Sequence, residues 1–145
     1  MAFRFALAPV LKLRESLEEL LLHRLEQTQH EISHAAQLLD GLRAESRVLA
    51  VSREQGLATG LAGAELHFRE RLRQGLKIQE LTLEQKLAEL QRRRTQQLAD
   101  YEEARNKRRV LADLRDRQRE AYETKLAHRQ QRSADDTFLA RRGRG

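Results

Sequence analysis

The chain has 145 residues, one domain by length, and its 39% hydrophobic and 34% charged residues are too polar for a compact core and too patterned for disorder. It has no cysteine, which excludes disulfides and thiolate metal sites and suits a cytosolic protein; no apolar run approaches the ~20 residues of a membrane span, and no continuous apolar stretch marks a secretory signal. The formal charge of +6 is concentrated: residues 91–132 hold 13 basic and 7 acidic side chains, whereas residues 1–90 hold 12 and 13.

Helix formers dominate and β-branched and aromatic residues are few, so helices are expected and strands are not. The single proline, Pro9, suits a first helical turn, and a first helix is expected over about 9–55. Its apolar positions are Val10, Leu13, Leu17, Leu21, Leu25, Ile32, Ala35, Leu39, Leu42 and Leu49, with Thr28 and Ser46 in the missing steps. From Leu21 onward the spacing alternates four and three, the heptad of a coiled-coil seam. Leu17, Leu21 and Leu25 are spaced four and four, a stutter that should unwind the supercoil locally. Gly41 weakens the helix by about 1 kcal/mol relative to alanine.

Three glycines, Gly56, Gly60 and Gly63, break the pattern and predict a turn over about 56–63. A second helix is expected over about 64–138, followed by a frayed tail over 139–145. Its apolar stripe reads Phe68, Leu72, Leu76, Leu83, Leu87, Leu90, Leu98, Tyr101, Ala104, Leu111, Leu114 and Tyr122. The fold class is therefore all-α: a single domain forming a long two-helix antiparallel coiled-coil hairpin with unequal arms. At 1.5 Å per residue the arms measure about 70 Å and about 110 Å, so the second helix overshoots the first and leaves turns after Leu114 uncovered.

One catalytic pattern stands out. His30-Glu31-Ile32-Ser33-His34 matches H-E-x-x-H, in which two histidines one helical turn apart bind zinc and the glutamate is the base. Ile32 and Ala35 are seam positions, so the histidines face outward on a thin rod with no cleft to hold a substrate. Gln37 stands where the longer motif needs a glycine. No catalytic, metal or cofactor residue is assigned, and no enzyme is expected. The carboxylates read as surface i,i+4 partners of Lys and Arg. The basic stretch reads as a solvated face or as a docking surface for something acidic. Interspersed Asp100, Glu102, Glu103, Asp113 and Asp116 argue against nucleic acid.

The opening Phe3-Arg4-Phe5-Ala6-Leu7-Ala8-Pro9-Val10-Leu11-Lys12-Leu13-Arg14-Glu15 resembles the start of the flagellar FliJ family. The stretch from Leu111 to Arg142, with Leu111, Leu114, Asp135-Asp136 and Phe138, resembles the family's closing helix. The resemblance implies a monomeric, non-enzymatic stalk of the type III export apparatus. Such a stalk enters the hexameric ring of the export ATPase FliI and promotes its assembly and turnover. It also binds the export gate FlhA and handles export chaperones, and the ATPase regulator FliH is a further candidate partner. It would be cytoplasmic and held at the membrane's inner face only through partners. The resemblance places ring contacts at Phe5, Leu7, Val10, Leu13, Leu17, Leu111, Leu114, Arg115, Arg117 and Gln118, and gate contacts at Phe68, Leu72, Gly75 and Gln79 with Leu38 and Leu42. The stalk of a virulence injectisome and a generic coiled-coil scaffold are the alternatives.

Overall fold

The computed structural model of the protein describes residues 2–60 and 62–144. Two helices account for nearly all of them: α1, Ala8–Thr59, and α2, Gly63–Gly143. Among the described residues there is no strand, and no helix is long and apolar enough to cross a membrane. The fold is the expected all-α helical hairpin.

Both helices keep one uninterrupted heptad. With Leu11 as position a of α1, the a and d positions run Leu11, Arg14, Glu18, Leu21, Leu25, Thr28 and on to Gly56. All but Arg53 are buried or half-buried. With Leu66 as position a of α2, the a and d positions run from Leu66 to Tyr122, and only Arg73, Arg94 and Gln118 are exposed. This corrects the expected stutter at Leu17. The seam of the first turns is Leu11, Arg14 and Glu18, one residue along from Val10, Leu13 and Leu17, the apolar positions assigned from sequence. Polar residues hold seam places here because α2 supplies a partner for Glu18.

The chain divides into two compact units. One contains residues up to Leu21 together with those from Tyr101 onward. Here α1 and α2 run antiparallel, tied by Arg108 donating to Glu18 and by the Phe3 ring against Tyr122 at 5.8 Å. The segment before α1 folds back through a turn in which the Ala8 amide donates to the Phe5 carbonyl, and Phe5 is buried. Ala104 and Leu11 form the apolar centre, and the residues of α2 after Tyr122 are exposed on every side.

The other unit spans Leu22–Asp100. Its core is Ala35, Leu39 and Leu90 with buried Thr28, and its antiparallel register is set by Arg93 to Glu31, Arg43 to Glu84, Ser46 to Glu80 and Arg69 to Ser52. The turn is shorter than the expected 56–63. Gly56 is a buried d position inside α1, and α1 ends only at Thr59, whose hydroxyl donates to the Gln55 and Gly56 carbonyls. Gly60, at φ 80°, adopts the left-handed conformation that closes a helix. The amides of Glu65 and Leu66 then donate to the Ala62 carbonyl to open α2. At the other end α2 continues through Gly143, past the expected limit near 138, because residues 133–142 contain no helix breaker.

Candidate functional site

Two apolar lines lie beside the seam rather than in it. In the first unit Val10, Leu13, Leu17 and Leu20 occupy successive g and c positions of α1, spaced three, four and three. All four are exposed, Leu13 at 68%. On α2, half-buried Leu114 and exposed Val110 hold equivalent g and c positions. In the second unit Phe68, Leu72, Gly75 and Gln79 form the same c and g line along α2, with Phe68 63% exposed. A helix that buries its a/d line against one partner and keeps leucines at c and g has a second face for another protein.

The residues expected to contact the ATPase ring thus separate by position. Leu7, Val10, Leu13, Leu17, Arg117 and Gln118 are exposed, whereas Leu111, Leu114 and Arg115 are half-buried and Phe5 is buried. Phe5 and Leu111 are part of the unit's own packing. Arg115 lies 3.3 Å from Asp116. Leu20 and Val110 were missed in the sequence reading; Leu20 continues the line begun at Val10 and could have been found by extending it.

At the turn end, Phe68 is followed by Arg69, which donates to the Ser52 hydroxyl and carbonyl at 2.7 and 2.8 Å. This fixes Phe68 level with Ser52. Leu38 lies fourteen residues earlier in α1, roughly 21 Å along the axis, and Leu42 is a half-buried seam residue about 15 Å away. The structure therefore does not bring Leu38 and Leu42 to Phe68. Val48 is near instead: it lines an open groove of about 510 Å³ with Ala44, Leu49, Ser52, Leu72 and Leu76. Leu72 flanks the groove from outside the seam, so the apolar stripe read for α2 near the turn belongs to two different faces. Leu98, also assigned to that stripe, is likewise exposed.

Charges border these faces. Glu70 receives two hydrogen bonds from Arg73, at 2.7 and 3.1 Å, and lies 3.3 Å from Arg53. Hydrogen bonding by Arg73, then attraction by Arg73 and Arg53, outweighs desolvation and holds the Glu70 carboxyl below the usual glutamate range. Arg108 is raised above the ordinary arginine range chiefly by its hydrogen bonds to Glu18.

His30 and His34 are exposed, and Glu31 between them lies 3.7 Å from Arg93. Among the described residues no three His, Cys, Asp or Glu side chains converge on a point that could hold a metal ion.

Two long helices paired through an a/d seam, with apolar lines outside it, define a coiled-coil protein. The chain belongs to the FliJ family: the profile described as flagellar FliJ protein matches residues 3–145. It is thereby a component of flagellar type III protein export, and the flagellar rather than the injectisome reading holds. No curated protein and no solved structure gives a significant match to the chain.

Proposed function

We propose that this protein is a non-enzymatic stalk, working in the cytoplasm as a monomer. Its terminal unit would enter the hexameric ring of the export ATPase FliI and promote assembly and turnover. The turn end would engage the export gate FlhA, with export chaperones and the regulator FliH as further partners and the membrane reached only through them. The observation that carries this reading is the exposed line Val10, Leu13, Leu17 and Leu20, which the hairpin itself does not use. A paired-helix protein of this kind acts by contact: its asymmetric faces favour one subunit conformation over another in a symmetric ring, a shift limited by its differential affinity for the two.

The test is ATP hydrolysis by the cognate export ATPase with and without the protein. Leu13→Asp with Leu17→Asp alters exposed residues and is preferred to Leu111→Asp, which would disturb the packing. Stimulation by the wild type that disappears in the double variant, with helicity unchanged, supports the stalk. Equal stimulation by both refutes a ring contact through this line. Phe68→Asp should weaken binding to the purified export gate and leave stimulation intact.

A further inference from the structure

The heptad of α2 does not end where α1 does. After Tyr122, an a position, the next d, a and d positions are Lys125, Arg129 and Arg132. The face that elsewhere carries leucines thus becomes a single file of cations over about 10 Å. All three are exposed, and none has a hydrogen-bond or ion-pair partner among the described residues. Four other basic side chains of this unit are engaged: Arg108 with Glu18, Lys107 with Glu103, Arg115 with Asp116, and Arg119 over the Phe3 ring; the file differs from the remaining exposed cations in lying on the seam line. Before the file the nearest acidic residues, Glu120 and Glu123, occupy f and b positions on the far side of the helix; after it, Asp135 and Asp136 lie three and four residues beyond Arg132, and the file ends where Asp136 takes the next a position.

From this placement we infer that residues 123–135 are a docking surface for an acidic α-helical segment of a partner protein, running antiparallel to α2 along the line that α1 leaves at Tyr122. Continuity with the seam supplies the geometry, since Phe3 already packs on Tyr122 at the head of the file. Cations at i, i+4 and i+7 match carboxylates at the same spacing on a facing helix. A generic polyanion fits worse. Residues 123–144 carry six basic and three acidic side chains, but Glu123, Asp135 and Asp136 break them up and the file itself is three cations over about 10 Å, a short track for duplex phosphates. An anionic membrane would need an apolar face beside the cations, and Leu126 alone adjoins the file.

The test uses the full chain and a labelled three-heptad helical peptide with Glu at every a and d position. A permuted peptide of equal composition, with Glu spread around the helix, is the comparison. Binding is read by fluorescence anisotropy at physiological ionic strength. The matched peptide should bind about tenfold more tightly than the permuted one. Lys125→Glu, Arg129→Glu and Arg132→Glu together should abolish that preference. The neutral variant with Gln at the same three positions should reduce it, and covers the case in which charge reversal perturbs the helix. Arg47→Glu, Arg71→Glu and Arg92→Glu, which make the same change in net charge on exposed positions elsewhere, should leave it intact. Equal binding of the two peptides, no binding of the matched one, or an unaffected triple variant overturns the inference. Tighter binding of duplex DNA or phosphatidylglycerol vesicles than of the matched peptide also overturns it. No ATPase is present, so the outcome is separate from that of the stalk reading.

Discussion

Glu18 and Arg108, ninety residues apart, form a two-pronged ion pair at 2.6 and 3.3 Å in the seam of the terminal unit, with side chains 16% and 28% exposed. Both occupy a positions, where an apolar pair would be the simple choice. Opposed charges in a seam oppose slippage: moving one helix by a turn strands both charges against Leu or Ala. The pair therefore supplies register in a stretch where leucines at two adjacent faces would otherwise allow two.

Breaking this pair should cost more than an exposed ion pair would. Glu18→Ala leaves the guanidinium half-buried with one partner removed, and should destabilise the protein by about 1–2 kcal/mol. Replacing both residues by Leu should recover most or all of that, because apolar replacement removes the desolvation cost. A double-mutant cycle read by denaturant unfolding gives the coupling; additive single effects would show that the pair does not set register.

The leucines should divide sharply by line. Leu39, 4% exposed in the seam, should cost about 2–3 kcal/mol as Leu39→Ala. Leu13→Ala, two-thirds exposed, should change stability by less than about 0.5 kcal/mol. Thermal unfolding followed by far-UV circular dichroism decides; a large loss at Leu13 would mean that its line is needed for folding.

Glycines of opposite sign provide a further check. Gly41 lies inside α1 with nothing within 4 Å of an added Cβ, so Gly41→Ala should stabilise by about 1 kcal/mol. Gly60 has the same open surroundings but φ +80°, so Gly60→Ala should destabilise by about 1–2 kcal/mol through the backbone alone. Gly60→Asn should cost less than Ala. Urea midpoints of the three variants test the ordering.

Acid should release Glu70. Its folded-state pKa is depressed, first by the Arg73 hydrogen bonds, so its contribution is complete above the unfolded value of about 4.3. That contribution is lost as pH falls through the lower folded value. Glu70→Gln should therefore be less stable than wild type at neutral pH and converge with it under strongly acidic conditions. Thermal midpoints across that range measure the gap, and added salt should narrow it because the pair is exposed. A gap that widens in acid would contradict the sign.

Much of this architecture is legible in one dimension. Helix-forming composition, the heptad from Leu21 to Leu49, and the glycine cluster determine two helices joined by a turn, because 3.5-residue periodicity and backbone freedom are local properties. The opening motif around Phe3 and Phe5, with the closing stretch from Leu111, pointed to the family that the match over residues 3–145 shows. Which line of a helix becomes its buried face is not local. Over the first turns, Val10-Leu13-Leu17 and Leu11-Arg14-Glu18 both repeat at heptad spacing, and hydrophobicity alone favours the first. Arg108, ninety residues beyond Glu18, decides for the second, and Arg69 bonded to Ser52 similarly leaves Phe68 and Leu72 outside the pairing. Only the tertiary structure could assign those leucines to the surface, because burial follows from what the opposite helix places across the seam.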